Sequence, residues 1–264
     1  MTPSPDTPHP GAPPADFDEM AFAVDTAHAA GALTLEWFRH PELAVDHKGD
    51  GSPVTAADLA ADRLIRERLT ATRPDDAILG EEQDDVSGTT GRTWVIDPID
   101  GTKAFTRGVP LYSVLLALVD DHGPAIGVIH LPALGETVWA GRGRGAFHDG
   151  EPCSVGTVDD PSRSVLCTSG TGYWPDDTLR RVLASPFTFR TWGDAYGYAL
   201  VATGRAEAMV DPAAHPWDLA PMGVILTEAG GRFTAVDGTD DWRLGSGVAT
   251  NGLVHDRVIA LLRG

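Results

Sequence analysis

Three short segments of the sequence place acidic residues beside apolar runs. They are Gly80-Glu81-Glu82, Asp97-Pro98-Ile99-Asp100-Gly101-Thr102 and Trp217-Asp218. Carboxylates are disfavoured at the ends of buried strands unless a positive charge compensates them. Mg²⁺ prefers hard oxygen ligands, which it usually shares between a few carboxylates and a substrate phosphate. The three segments therefore predict a Mg²⁺ site, where a pair of ions would activate a water molecule and stabilise a leaving oxygen.

The second segment also contains the elements of a phosphate site. Asp97 and Asp100 flank a rigid Pro-Ile pair, so both carboxylates can turn toward one point. Gly101 and Thr102 follow at a strand-to-helix turn, where backbone N–H groups and a hydroxyl bind phosphate well, and Lys103 adds positive charge. The alternative is a turn in which Asp97 and Thr102 only cap a helix. The full hexapeptide is more specific than the Asp-Gly-Thr part alone.

Apolar periodicity and turn residues predict the elements that position these segments. Helices are predicted over residues 16–38, 56–73, 176–184, 195–202, 219–228 and 255–262. Strands are predicted over 77–79, 93–96, 113–119, 125–130, 137–140, 165–167, 187–191, 208–210 and 232–235. Residues 45–52 are predicted to form a hairpin or loop. The strand over 93–96 is expected to stop at Asp97-Pro98.

The order of these elements predicts a layered α/β protein with two halves. Residues 1–15 are rich in Pro and are predicted to form a disordered tail. Residues 16–150 form an α+β half with the metal and phosphate site. Residues 151–264 form an α/β half, and the halves are expected to meet at a cleft near residues 151–164.

Composition excludes several classes of function. The chain has 38 acidic and 20 basic residues, a formal net charge of −18, which argues against nucleic-acid binding. No stretch approaches the roughly 20 apolar residues of a membrane span, and no targeting segment is evident, so the cytoplasm is the expected compartment. Cys153 and Cys167 lack C-x-x-C spacing, which indicates free thiols rather than a zinc or redox site.

The acidic segments resemble, in order and approximate spacing, the three motifs of the inositol monophosphatase family. The third motif extends to Pro221, and further similarity is found in the early residues Lys48, Ser52-Pro53-Val54-Thr55 and Asp58 and in the late segment Glu228-Ala229-Gly230-Gly231. The resemblance covers nearly everything from Asp16 onward. It implies an αβαβα layered sandwich, a homodimer, two or three Mg²⁺ ions per site, and inhibition by Li⁺.

The resemblance also implies roles for individual residues. The implied metal ligands are Glu81, Asp97, the Ile99 carbonyl, Asp100 and, on a second ion, Asp218. The implied catalytic residues are Glu81 and Thr102, which orient the attacking water, and Asp58, a supporting acid. Gly101 and Thr102 are implied to hold phosphate through their backbone N–H groups.

Alternatives remain open for three of the acidic residues. Asp218 can act as a helix N-cap before Leu219 as well as a ligand. Asp58 lies either beside the ligands or on the surface of its helix. Glu82 is expected to point outward or to stand behind the ligands.

The resemblance also implies that the segment between the second and third motifs recognises the alcohol part of the substrate. Within it, the pattern Trp-Gly-Asp-x-Tyr-Gly-Tyr over residues 192–198 looks like the histidinol-phosphatase branch of the family. Asp194 and Asp211 can pair with a cationic group of the substrate, and Trp192 and Gly193 are predicted to contact it. Core packing is the alternative for Trp192 and is favoured for Tyr198.

These residues predict a Mg²⁺-dependent phosphomonoesterase that acts on a small-molecule phosphate ester, best on histidinol phosphate. The alternative is a phosphatase for inositol 1-phosphate or another polyol phosphate. A 3′-phosphoadenosine phosphate or a fructose bisphosphate would require basic residues near Asp194 and Asp211, and only Arg190 and Arg205 lie near them in the sequence. A non-catalytic Mg²⁺-binding protein is disfavoured because every predicted ligand is retained.

Overall fold

In the computed structural model, residues 11–49 and 51–264 are described, and these form seven helices and fourteen strands. The helices are α1 (Phe17–Trp37), α2 (Ala56–Thr72), α3 (Thr102–Thr106), α4 (Asp176–Leu183), α5 (Asp194–Ala202), α6 (Pro216–Glu228) and α7 (His255–Arg263). The strands are β1 (Val45–His47), β2 (Pro53–Thr55), β3 (Ala77–Gly80), β4 (Thr93–Asp100), β5 (Ser113–Asp120), β6 (Gly123–Leu131), β7 (Glu136–Gly141), β8 (Gly145–His148), β9 (Glu151–Cys153), β10 (Val165–Cys167), β11 (Thr188–Arg190), β12 (Ala208–Asp211), β13 (Arg232–Thr234) and β14 (Gly247–Thr250).

The strands form two large sheets and a hairpin. A seven-stranded sheet has the order β3-β4-β5-β6-β7-β8-β9 and is antiparallel except for the β3–β4 pair. A five-stranded sheet has the order β11-β10-β12-β14-β13, and β1 pairs with β2. Helices α1 and α2 cover the outer face of the first sheet, α5 and α6 lie between the sheets, and α4 and α7 cover the second sheet. The predicted αβαβα sandwich is therefore confirmed.

Strand β4 shows how the layers are specified by the sequence. Its alternating side chains point to opposite faces, and Trp94 and Ile96 pack with the α1–α2 layer. Val95 points the other way, into the core that contains α5 and α6. Because both faces are covered, the strand reads as a nearly continuous apolar run.

Several predicted boundaries differ from the structure. The prediction that β4 stops at Asp97 was wrong, since the strand continues to Asp100 through a register shift against β5. Pro98 lacks an N–H group, and an irregular position in the ladder accommodates it. Strands β8, β9 and β14 were not predicted, because they are short segments rich in small or polar residues. Helix α6 begins at Pro216, three residues earlier than predicted, because proline is favoured in the first helical turn.

Residues 1–10, most of the predicted disordered tail, lie outside the described residues. The end of that segment is held by arginines: the Pro13 and Ala15 carbonyls accept hydrogen bonds from Arg142 and Arg144. Along residues 11–49 and 51–264, no helix combines the length and the apolar character needed to cross a membrane.

Candidate active site

A cleft of about 650 Å³ contains most of the predicted site residues. It lies where the end of β4 and the start of α3 face the β10–α4 loop, the start of α5 and the β12–α6 connection. The predicted residues that line it are Glu81, Asp97, Ile99, Asp100, Gly101, Thr102, Asp194, Asp211 and Asp218. Residues 151–164 do not line this cleft, so the predicted position of the cleft was wrong. Residues 151–153 form β9, and residues 154–164 connect it to β10.

The irregularity in β4 brings two carboxylates to one side. Asp97 pairs with Leu115 and Asp100 with Ser113, so three steps along β4 match two along β5. Residues three apart in a regular strand would point to opposite faces, and the extra residue restores a common face. Asp100 is fixed there because its Oδ2 atom accepts hydrogen bonds from the Ser113 hydroxyl, at 3.0 Å, and the Ala195 N–H, at 2.6 Å.

Asp218 reaches the same point from the first turn of α6. Its Oδ2 atom accepts a hydrogen bond from the His215 N–H at 2.7 Å, and His215 is the N-cap residue. The N-cap alternative for Asp218 was therefore wrong. One carboxylate oxygen from each of Asp97, Asp100 and Asp218 lies within 4.8 Å of the others. Three converging oxygen donors of this kind suit a hard divalent cation.

The charges in this cluster repel one another. Burial first, and then the neighbouring carboxylates, raise the pKa of Asp97 and Asp100 well above the ordinary value. For Asp218, burial raises the pKa to about 6 despite the hydrogen bond from His215. A bound cation would offset the repulsion between these carboxylates and favour their ionised forms. The three residues therefore fit a Mg²⁺ ion.

Glu81 lies at the edge of the cluster and is bound to a lysine. Its Oε1 atom is 2.7 Å from the Lys48 Nζ atom, which is also 2.7 Å from Glu82 Oε1. Glu81 lies close enough to Asp97 to raise the pKa of that carboxyl. Of the two alternatives for Glu82, the outward one was wrong: its side chain is 3% exposed, and burial raises its pKa to about 7. It lies behind Glu81.

Asp58 is fully buried, so the surface alternative for it was wrong. Its Oδ2 atom accepts hydrogen bonds from the Thr55 N–H and hydroxyl groups, which closes a capping box at the start of α2. Its Oδ1 atom has no hydrogen-bond partner among the described residues. Asp58 does not line the cleft, although the charge of Glu81 contributes to its raised pKa, after burial. Its supporting role stays a prediction.

The loop that carries Glu81 is held from behind by Arg66. The Arg66 guanidinium donates hydrogen bonds to the Gln83 and Asp84 carbonyls, at 3.1 and 2.9 Å, and to Asp62 Oδ1, at 2.6 Å. The Gln83 amide donates to the same Asp62 oxygen at 2.7 Å. These contacts tie residues 83–84 to α2.

The predicted phosphate cradle has the backbone geometry that glycine permits. Gly101 has φ 81°, a left-handed conformation that other residues rarely adopt. A Cβ atom there would lie 3.1 Å from both Asp194 Oδ2 and the Leu111 carbonyl oxygen. The Thr102 hydroxyl donates a hydrogen bond to the Ile99 carbonyl at 3.0 Å, which orients this implied ligand.

The opposite wall contains the residues predicted to read the alcohol. Asp194 starts α5 with φ 52°, and its N–H donates to the Ser169 hydroxyl at 2.8 Å. Burial, followed by the charges of Asp211 and Asp218, raises the pKa of Asp194 to about 7. Asp211 accepts hydrogen bonds from the Ser169 N–H at 3.0 Å and the Tyr198 hydroxyl at 3.1 Å. Asp194 is thus the less constrained carboxylate of the two.

Two predicted substrate contacts do not line the cleft. Trp192 is 41% exposed, so core packing was wrong for it, and its ring centre lies 5.8 Å from the Arg190 guanidinium. Gly193 is buried against the β10–α4 loop, where a Cβ atom would lie 2.1 Å from Ser169 Cα. The reason for glycine here is therefore backbone contact within the chain. Tyr198 is buried, and the packing prediction for it is confirmed.

Comparison with known proteins identifies this arrangement. Residues 16–264 match the inositol monophosphatase family. The chain belongs to that family. A histidinol-phosphatase of Mycobacterium tuberculosis is 41% identical over 254 residues, which cover 93% of this chain and 98% of that protein. A histidinol-phosphatase of Chlorobaculum parvum is 44% identical over 220 residues, 81% of this chain and 84% of that protein.

A solved structure shows the same fold. The extragenic suppressor protein suhB from Bartonella henselae has a TM-score of 0.88 at 29% identity, covering 93% of this chain and 98% of that chain. As a member of the inositol monophosphatase family, the chain is a phosphatase, a hydrolase of phosphate esters. The family resemblance seen in the sequence is confirmed.

For this inositol monophosphatase family member, sequence reasoning missed two parts of the site. The β10–α4 loop brings Ser169 and Tyr173 into the cleft, and the only sequence signal was a run of small residues after a predicted strand. The Arg66 contacts behind the ligand loop join segments far apart in the chain, so no local pattern marks them. His215 also lines the cleft, and its ring stacks on Trp217 at 4.9 Å between centres.

Proposed function

We propose that this phosphatase is a Mg²⁺-dependent phosphomonoesterase that hydrolyses histidinol phosphate to histidinol and inorganic phosphate. The observation that carries the metal part is the convergence of Asp97, Asp100 and Asp218 within 4.8 Å beneath a cleft. The observation that carries the substrate part is Asp194, a half-buried carboxylate on the opposite wall.

The proposed ligands are Asp97, Asp100, Asp218, Glu81 and the Ile99 carbonyl, for two or three Mg²⁺ ions. When bound, Mg²⁺ would supply Lewis-acid stabilisation of phosphate charge and favour deprotonation of the attacking water. Lys48 forms an ion pair with Glu81 through Oε1, and the other carboxylate oxygen of Glu81 would be available to the metal.

The other residues position the ester and the water. Gly101 and Thr102 would hold the phosphate through backbone N–H groups at the start of α3. Glu81 and Thr102 would orient the water for in-line attack on phosphorus. As the new P–O bond forms, the bond to the alcohol oxygen breaks, and that oxygen takes up the proton that the water gives up. Asp58 would support them from below the ligand loop.

Histidinol phosphate carries an ammonium group, which suits a carboxylate that does not bind the metals. A charge-assisted hydrogen bond to Asp194 would be shielded from water by the cleft. Asp211, which already accepts two hydrogen bonds, would chiefly fix Ser169 and Tyr198 beside it. The similarity to histidinol-phosphatases at 41% and 44% identity supports the same substrate.

The test is phosphate release from histidinol phosphate, inositol 1-phosphate, glycerol 2-phosphate and fructose 1,6-bisphosphate, each with Mg²⁺ and with EDTA. We expect the highest kcat/KM for histidinol phosphate, loss of activity in EDTA, and inhibition by Li⁺. Higher kcat/KM for inositol 1-phosphate would replace the substrate proposal, and full activity in EDTA would remove the metal proposal.

We also infer a homodimer, as the family resemblance implies, and a cytoplasmic location. Light scattering of the purified protein tests the assembly, and fractionation of the source cells tests the compartment.

A further inference from the structure

The loop between β10 and α4 forms part of the cleft wall, and nothing in the proposed chemistry so far uses its aromatic residue. Ser169, Gly170 and Tyr173 from this loop line the cleft. The loop therefore faces the same space as the proposed phosphate and alcohol sites.

Both ends of the loop are anchored. Ser169 is tied to the alcohol side by its hydrogen bonds with Asp211 and Asp194. Trp174 is buried, and its indole N–H donates to the Thr168 hydroxyl at 3.1 Å. Because the residues on either side are fixed, Tyr173 is presented to the cleft rather than to the core.

Tyr173 is 64% exposed, which is unusual for a large aromatic residue with a structural role. Its ring is approached by the Lys103 ammonium, which lies 5.6 Å from the ring centre and 3.3 Å from the hydroxyl. Lys103 directly follows the phosphate cradle and lines the same cleft as Asp194. The ring thus stands beside both the phosphate and the cation-binding parts of the cleft.

We propose that Tyr173 is a specificity-determining residue that stacks on the planar ring of the alcohol, the imidazole of histidinol phosphate, while Asp194 binds the ammonium group. This inference rests on the proposed function. An aromatic face attracts both neutral planar rings and cationic ones. An imidazole suits Tyr173 in either protonation state, whereas a polyol offers no flat face to it.

The test measures KM and kcat of wild type and Tyr173→Leu on three esters: histidinol phosphate, phosphoethanolamine and glycerol 2-phosphate. The alcohol part of histidinol phosphate carries a ring and an amine. Phosphoethanolamine carries an amine but no ring, and glycerol 2-phosphate carries neither. Tyr173→Leu should raise KM for histidinol phosphate about fivefold. It should leave kcat for histidinol phosphate, and both KM and kcat for the other two esters, within about twofold of the wild-type values. Tyr173→Phe, which keeps the ring, should retain wild-type KM on all three.

Two further variants separate this inference from the proposed function. Asp194→Asn removes the proposed ammonium partner and should raise KM for both amine esters, whereas Tyr173→Leu should affect only the ester with a ring. Phe17→Leu is the matched control, because Phe17 is a similarly exposed aromatic residue, 60% exposed, on α1 and outside the cleft. A Tyr173→Leu protein with unchanged KM for histidinol phosphate, or with equal losses on all three esters, would overturn the stacking role.

Discussion

The two walls of the cleft are built differently. The catalytic wall, formed by the ends of β3 and β4, is embedded in a seven-stranded sheet whose two faces are both covered. The alcohol wall, formed by the β10–α4 loop, the start of α5 and the β12–α6 connection, consists of loops and helix starts. Asp97 and Asp100 on the first wall are buried, whereas Tyr173 on the second is mostly exposed.

The hydrogen bonds follow the same division. Asp100 of the catalytic wall is held by groups from two other elements, the Ser113 hydroxyl of β5 and the Ala195 N–H of α5. Asp194, on the alcohol wall, has a left-handed backbone and a half-buried side chain. The difference indicates that the catalytic wall sets the reaction and the alcohol wall sets the substrate, so mutations in the two should have different kinetic effects.

The largest effect is expected from Asp100→Asn. This change keeps the hydrogen-bond acceptor for Ser113 or Ala195 but removes a charged ligand, and loss of one electrostatic stabiliser costs at least about 10²–10³ in kcat. The loss should be equal for every ester, because the phosphate end is common to all of them. Steady-state kinetics on histidinol phosphate and glycerol 2-phosphate measure it, with circular dichroism as the control for folding. Near-normal turnover of a folded variant would sink the metal assignment.

A smaller and selective effect is expected from Asp194→Asn. A charge-assisted hydrogen bond contributes about 1.5–3 kcal/mol, so KM for histidinol phosphate should rise about tenfold or more. KM and kcat for glycerol 2-phosphate should equal the wild-type values, because the residues proposed to bind the metal and the phosphate are unchanged. Equal weakening of both esters would show that Asp194 acts on the catalytic wall instead, and the division between the walls would not hold.

Arg66→Lys should separate metal affinity from turnover. Lysine keeps a positive charge beside buried Asp62 but loses the paired contacts with the Gln83 and Asp84 carbonyls. Because these contacts hold the loop of Glu81, the Mg²⁺ concentration for half-maximal activity should rise about three- to tenfold. The kcat at saturating Mg²⁺ should be retained.

The matched control for that variant is Arg68→Lys. Arg68 lies on the same helix but contacts Thr26 and Asp25 of α1. If both variants shift the Mg²⁺ requirement equally, the effect comes from general loosening of α2, and the specific role of Arg66 is contradicted.

The smallest effect is a pH-dependent stabilisation by Mg²⁺. In the cation-free protein the pKa of Asp218 is raised to about 6 and that of Asp194 to about 7, from an ordinary value of 3.8. The folded chain therefore binds more protons than the unfolded chain between about pH 4 and 7, and its stability falls as pH rises through that window. Mg²⁺ would replace the proton on Asp218, which is a proposed ligand, whereas Asp194 is not.

The difference in Tm between Mg²⁺ and EDTA should accordingly increase from pH 5 to pH 8. At about 100 times its Kd, Mg²⁺ should raise Tm by about 5–10 °C near pH 8. Sodium chloride at matched ionic strength is the control. A Tm that is indifferent to Mg²⁺ at every pH would argue against convergent carboxylates.

Much of the fold was determined by local sequence. The apolar spacing and Thr55 specified α2 with its capping box, and the apolar run before Asp97 specified β4, because periodicity and capping act over a few residues. The three acidic segments likewise identified the catalytic wall and the inositol monophosphatase family from residue types alone. Short strands such as β14 were not predicted, because their formation depends on pairing with strands that are distant in the chain.

Tertiary structure decided which of the acidic residues converge on one site and which lie apart from it. The extra residue of β4 against β5 turns Asp97 and Asp100 to one face, and α6 adds Asp218, a relation that exists only once sheet and helix are packed. It also placed Trp192 outside the cleft and brought Tyr173 into it. Sequence spacing defines which side chains are available, but their convergence depends on strand register and on loop anchors such as Ser169, which are set by contacts between segments far apart in the chain.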